Sequence, residues 1–196
     1  MSAMPDGRFT VKSAFDLQQS PLPDGDTGNW RWIWKIPYLE RIRSFIRQLS
    51  HDRLLTNLSH FHRHISTTAD CPRCPGSQES LSHVFRECPI ASGTWEKLGI
   101  RSQWFFNQPF EAWIRSNATA RPSADHTMIP WFLIFLGTLW FLWKARNLWI
   151  FEQKSSTTTE ISRRALAHAR EAAGTLRTES ITRQRRQIWV HWTPPP

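Results

Sequence analysis

A chain of 196 residues with 40% hydrophobic and 13% aromatic content, including twelve Trp and twelve Phe, has material for one ordinary domain or a small one with extensions. This excludes a chain disordered throughout and leaves no room for two independent enzyme domains. The net charge is +9, from 25 Lys and Arg against 16 acidic residues. Twenty of the cations are Arg, whose planar fork suits phosphate, so nucleic acid ranks ahead of anionic membrane as a partner.

Residues 8–19 are expected to form a short helix capped by Thr10, with Val11, Ala14 and Phe15 on one side. The Pro- and Gly-containing segment 20–29 is a loop leading to the Trp-rich stretch 30–37. Over residues 40–51, Ile42, Phe45, Ile46 and Leu49 recur at i, i+3, i+4, i+7, which predicts an amphipathic helix with Arg41, Arg43 and Arg47 off the apolar stripe. Thr56 is placed to cap a second helix, in which Leu58, Phe61, His62 and Ile65 follow helical spacing.

Residues 95–121 carry aromatics without clean periodicity and admit helix or loop. An aromatic helix follows over 128–152. Its most apolar window, 129–143, is fifteen residues long and interrupted by Pro130, Gly137 and Thr138, below the roughly 17–25 residues of a spanning helix. A buried helix is therefore expected. Thr157 and Glu160 have capping-box spacing ahead of an Arg-rich helix with Ile161, Ala165, Ala169, Ala172 and Leu176 near one face. Pro194, Pro195 and Pro196 read as a linker. No repeat is visible, and no secretory signal precedes this pattern, which points to a reducing, intracellular setting that includes the nucleus.

All three cysteines fall between positions 71 and 88, an odd count that disulfide pairing explains poorly. Cys71, Cys74, His83 and Cys88 make a C-x2-C-x8-H-x4-C pattern, three thiolates and one imidazole, the donor set of a closed tetrahedral structural zinc site. One structural Zn²⁺ is the expected cofactor. His83 and Cys88 are five residues apart, whereas i+4 shares a helical face, so the chain is expected to bend near Cys88, ahead of Pro89. Three buried, metal-free thiols are the plain alternative, and His60, His62 and His64 are rival ligands. A closed donor set leaves no coordination position for activating water, and Asp6, Asp24, Asp26 and Asp52 lie in turn-like sequence. No catalytic residue is assigned, and a non-enzyme is expected.

The stretches Gly7 to Phe15, Ile33-Trp34-Lys35, Arg53-Leu54-Leu55-Thr56-Asn57 and Cys71 to Trp95 resemble, in that order, the zinc-binding region that follows the reverse transcriptase domain of plant non-LTR (LINE-type) retroelements. The most specific residues are Cys71, Pro72, Cys74, Glu79, His83, Phe85, Cys88, Pro89, Ala91 and Trp95. Trp143-Lys144-Ala145-Arg146-Asn147 with Phe151-Glu152 resembles the helix these elements place before a ribonuclease H domain, and Trp192 to Pro196 resembles the start of that domain. Pro75 and Arg47 depart from the pattern, where Gly and an aromatic are usual. With no Asp-Asp pair and only Tyr38 as tyrosine, no polymerase motif is present. The resemblance implies a retroelement fragment or a gene derived from one, with reverse transcriptase and ribonuclease H domains as neighbours in an intact element.

The expected fold is mainly α, a small helical domain around a Cys3His site with additional aromatic and Arg-rich helices. The divisions are 1–29, an N-terminal helix and loop; 30–100, the zinc-binding domain; 101–154, an aromatic helical extension; and 155–196, an Arg-rich helix and Pro-rich linker. The expected function is a non-catalytic accessory module that holds RNA or DNA through backbone phosphates, using Arg41, Arg43, Arg47, Arg53 and Arg63. A zinc-stabilised scaffold without nucleic-acid binding is the alternative, because Arg73 and Arg86 balance Glu79 and Glu87 within the metal loop.

Overall fold

The computed structural model describes residues 30–74, 76–120 and 129–185, so the helix and Thr10 cap expected within 8–19, the loop after them and Pro194 to Pro196 lie outside the described residues. The chain divides between Arg31 and Trp32 into two units, and the packing below is that of the second. The described residues contain α1 (Arg31–Trp34), α2 (Glu40–Ser50), α3 (Asn57–His62), a π-helix (His83–Glu87), α4 (Pro89–Lys97), α5 (Gln103–Phe106), α6 (Phe110–Ala118), α7 (Trp131–Glu152) and α8 (Thr158–Arg185). Among them there is no strand, only an isolated antiparallel bridge between Asp70 and Gln78. The protein is mainly α, as its periodicities predict.

Helix α2 buries Ile42, Phe45, Ile46 and Leu49, the stripe read from the sequence, and Glu40 in its first turn suits the positive end of the helix dipole. Thr56 caps α3 by accepting from the Ser59 amide at 3.2 Å. The apolar spacing beyond it does not make a buried face, however. Helix α3 buries no residue, Phe61 is exposed, and Ile65 is 67% exposed. The helix stops at His62, and His64 adopts φ +56°, so fewer than two turns exist and a stripe from Leu58 to Ile65 has no helix to run along.

Helix α7 is apolar around most of its circumference and packs against α2, the π-helix, α6 and α8. Leu133, Phe135, Leu136, Leu139 and Leu142 are fully enclosed. Its apolar stretch is thus a core element, and no helix among the described residues is long and apolar enough to cross a membrane. Helix α8 opens with the capping box: the Thr157 amide donates to the Glu160 carboxylate at 2.9 Å and the Glu160 amide to the Thr157 hydroxyl at 3.2 Å. It buries Ile161, Ala165, Ala169 and Ala173, while Ala172 and Leu176 are only half-buried, so the buried line runs one residue off the expected one at its far end. Small side chains let the two helices approach. A Cβ on Gly137 would lie 3.3 Å from the Ala165 carbonyl oxygen and 3.4 Å from the Tyr38 hydroxyl.

The segment that allowed either helix or loop becomes α5 and α6, fixed by ring contacts between elements. Trp113 meets Phe135 at 4.9 Å between centroids, Trp95 meets Phe105 at 5.2 Å and stacks on Phe135 at 5.6 Å. Periodicity is weak there because four-residue α5 contributes little more than Phe105 to the core.

Candidate metal centre

The loop between α3 and the π-helix is shaped by backbone pairing. The Cys71 amide donates to the Ser77 carbonyl at 2.7 Å and the Glu79 amide to the Ala69 carbonyl at 2.8 Å, which closes a tight hairpin-like turn around Cys71 and Cys74. The Cys74 amide returns to the Cys71 carbonyl at 3.3 Å, placing both sulfurs on one side. His83 then follows a first turn whose start is capped by Ser80, with the His83 amide donating to its hydroxyl at 3.0 Å.

The chain bends at Cys88, as the spacing predicts: its ψ of 135° interrupts the helix between the π-turn and α4, which starts at Pro89. The Cys88 amide donates to the His83 carbonyl at 2.8 Å, an i to i+5 bond that widens the helix by one residue per turn. What the spacing does not predict is the π-turn ahead of that bend, which brings positions five apart onto one face so that His83 and Cys88 converge. The widened turn is stabilised by Trp95, whose indole N–H donates to the Phe85 carbonyl at 2.8 Å. Val84 and Phe85 are fully enclosed and Leu81 is buried, tying the loop to the aromatic core in line with the sequence pattern.

The ligand atoms of Cys71, Cys74, His83 and Cys88 all lie within 4.8 Å of one another. Cys74 Sγ and Cys88 Sγ are 3.9 Å apart, and metal–sulfur bonds of about 2.3 Å in a tetrahedron put neighbouring sulfurs roughly 3.8 Å apart. Cys74 Sγ to His83 Nε2 is 3.0 Å. Cys71 and Cys88 are buried and Cys74 half-buried. The donor set therefore fits a tetrahedral zinc ion in type and number, with its ligand atoms gathered closely enough to share one ion. His60, His62 and His64 lie outside this cluster.

The thiols also polarise one another. Cys71 is lowered to about 4, chiefly because Cys88 bonds to its sulfur, against the opposing effect of burial. Burial, then the neighbouring Cys71, pushes Cys74 up to about 11, while the bond to Cys71 and then burial raise Cys88. Crowding thus opposes simultaneous ionisation of the three sulfurs, which a bound dication would favour. Arg73, between the first two cysteines, favours the thiolates of Cys74 and Cys88.

Residues 9–95 match the family described as zinc-binding in reverse transcriptase. This segment resembles a reverse-transcriptase zinc-binding domain. The chain is also 31% identical over 146 residues to a putative ribonuclease H protein of Arabidopsis thaliana, a match covering 72% of this chain and 23% of that protein. The chain thus spans about a quarter of the relative's length. No solved structure matches it.

Glu79, within the zinc-binding match, and Arg146, in the separate block 143–147, meet in a buried ion pair. Arg146 Nε donates to Glu79 Oε1 at 3.0 Å and its terminal nitrogen to Oε2 at 2.6 Å, with both side chains 3% exposed or less. Glu79 Oε2 also accepts from the Asn57 amide at 2.8 Å, and Asn57 Nδ2 donates to the Asp70 carbonyl at 2.8 Å. The guanidinium lies 5.1 Å from the Trp143 ring centroid. Both carboxylate oxygens are thereby engaged, holding the metal loop to α3 and α7. The sequence marks Glu79 and Arg146 separately. Their separation of 67 residues hides the pairing.

Arg86 is likewise internal. It donates to the Phe106 and Gln108 carbonyls at 3.1 and 2.6 Å and to Ser82 Oγ, and lies 5.2 Å from the Phe110 and Trp113 ring centroids. Of the four charges that balance in the metal loop, Glu79 and Arg86 are therefore buried, leaving half-buried Arg73 and exposed Glu87.

Arg47, Arg53 and Arg63 are exposed. Arg41 is exposed and approaches His168 Nε2 at 3.4 Å. Arg43 is half-buried in an ion pair with Glu40 and donates to the Trp34 carbonyl at 3.4 Å. Asp52 is an exposed turn residue with φ +51°, in keeping with its sequence context.

Proposed function

We propose that the protein is a non-catalytic accessory module of a retroelement reverse transcriptase, in which one structural zinc ion on Cys71, Cys74, His83 and Cys88 rigidifies a helical platform that binds nucleic-acid phosphates. The observation that carries this reading is the closed donor set: four protein ligands saturate a tetrahedral metal and leave no position for water or substrate. The net charge of +9 supports a polyanionic partner. Arg41, Arg43, Arg47, Arg53 and Arg63 are the proposed contacts, with no sequence preference because backbone contacts position without reading bases. Adjacent reverse transcriptase and ribonuclease H domains, an intracellular location and the division at residues 100 and 154 belong to the same proposal.

A second reading is favoured by one observation. The buried Glu79–Arg146 pair locks the metal loop to α7, which suits a scaffold that spaces neighbouring domains. The deciding measurement is binding of the Arg41→Ala, Arg43→Ala, Arg47→Ala triple variant to single-stranded RNA and duplex DNA across salt concentration. The expected result is weaker binding and a salt slope smaller by nearly one unit for each phosphate that is no longer neutralised. An unchanged affinity and slope, with zinc retained, leaves the scaffold.

A further inference from the structure

A cleft of about 340 Å³ opens between the segment Pro37 to Arg43 and α8. It stands at the small end of ligand pockets, which run roughly 300–1,000 Å³, a size suited to one nucleotide and not to a duplex. Its chemistry is divided by position. Arg41 and Arg43 supply cations on one wall; Leu39, 45% exposed, and Leu176 supply apolar surface; Glu171 supplies a carboxylate from α8.

The floor of this cleft is fixed. Tyr38 Oη and His168 Nδ1 are 2.6 Å apart, and Phe141 packs edge-on against the imidazole at 5.7 Å. Arginine can only donate, so Arg41 donates to His168 Nε2, and the neutral ring then carries its proton on Nδ1 and donates to Tyr38. Arg41 is held at the rim in this way. Arg43 is engaged by Glu40, but that pair is solvent-accessible and such pairs contribute about 0–1 kcal/mol, so a phosphate can take its place.

We propose that this cleft seats one ribonucleotide of a single-stranded RNA, with its phosphate on Arg41 and Arg43, its base against Leu39 and Leu176, and its ribose 2′-hydroxyl donating to Glu171. The inference rests on the phosphate-binding reading above and adds a preference for RNA over DNA. A carboxylate repels phosphate, so Glu171 opposes a site made for backbone alone. As an acceptor for a sugar hydroxyl it has a use there, and the 2′-hydroxyl is what distinguishes RNA from DNA.

The test is fluorescence anisotropy on the zinc-loaded full chain with a 12-nucleotide single-stranded RNA, the same sequence as single-stranded DNA, and the 2′-O-methyl RNA. The parent is expected to bind RNA about tenfold tighter than either analogue, the worth of one charge-assisted hydrogen bond. Glu171→Gln should raise affinity for all three by removing a negative charge, while shrinking the RNA-to-DNA ratio several-fold. Leu39→Ser should weaken all single strands and leave duplex DNA unaffected. A parent ratio near one, or a ratio unchanged in Glu171→Gln, overturns the ribonucleotide site while leaving the arginine surface standing. Failure of the parent to bind any nucleic acid overturns both.

Discussion

At the scale of single residues, the metal ligands and the buried ion pair make opposite demands on substitution. Cys88→Ser keeps the shape of the side chain but removes a thiolate, and the expected outcome is loss of stoichiometric zinc, measured by metal analysis of the purified chain. Full occupancy and unchanged affinity in that variant would contradict the ligand assignment. For the ion pair, the cost lies in what remains behind. Arg146→Met leaves the Glu79 carboxylate enclosed with only the Asn57 amide as partner, and stranding a buried charge costs about 3–5 kcal/mol. Glu79→Gln paired with Arg146→Met should recover much of that loss, so a double-mutant cycle in urea is expected to show strong coupling. Additive losses would mean that the pair does not act as a unit.

His168 provides a pH signature. Burial, with Arg41 adding to it, lowers its pKa, so the folded state resists protonation that the unfolded chain accepts near pH 6.5. The unfolded state then binds more protons as pH falls. The stabilisation is complete above about pH 6.5 and is lost as pH drops through the lowered folded value. Tyr38, Arg41 and Glu171 are the ionisable groups facing it. The urea midpoint of the parent should therefore fall more steeply between pH 7 and pH 5.5 than that of His168→Gln. Parallel profiles would show that the imidazole contributes nothing to acid sensitivity.

At the scale of elements, the α7–α8 contact decides how a glycine behaves. In an ordinary helix interior, Gly→Ala stabilises by up to about 1 kcal/mol. Gly174 on α8 has no atom within 4 Å of an added Cβ, so Gly174→Ala should follow that rule. At Gly137 the added carbon would press at 3.3 Å on a backbone oxygen, which cannot rotate away, and overpacking of this kind costs about 1–3 kcal/mol. Gly137→Ala is thus expected to lower the urea midpoint while Gly174→Ala raises it. Equal stabilisation by both would show that the helices separate freely.

At the scale of the whole molecule, the metal centre is one end of a continuous packing path. Phe85 in the π-helix approaches Trp143 of α7 at 6.3 Å and Phe45 of α2 at 6.2 Å, and Glu79 reaches Arg146. Removing zinc by chelation should abolish protection of the amides over residues 53–95, as monitored by hydrogen exchange, because that loop is organised by the metal. The middle of α7, from Leu133 to Leu142, is held by α8 and the aromatic cluster and should stay protected, whereas exchange near Trp143 to Asn147 should quicken. Unchanged protection of the 71–88 segment would remove the structural role of the metal.

What the sequence determined by itself is local. The spacing of Cys71, Cys74, His83 and Cys88 identified the donor set, the i, i+3, i+4, i+7 pattern identified α2, and Thr56, Thr157 and Glu160 identified helix starts, because each of these signals is carried by residues close together along the chain. The tertiary structure decided whatever depends on a partner distant in the chain. Trp95 bonding to Phe85 supports a π-turn ahead of the bend that the spacing predicts, and Arg146 finds Glu79 across 67 residues. Ring contacts between separate elements place α5 and α6, and the exposed end of α3 leaves Phe61 and Ile65 outside the core despite their spacing. A periodic pattern states which face of an element can be buried. Only the neighbouring elements, whose positions the local pattern does not encode, determine whether that face is covered and which polar group it meets.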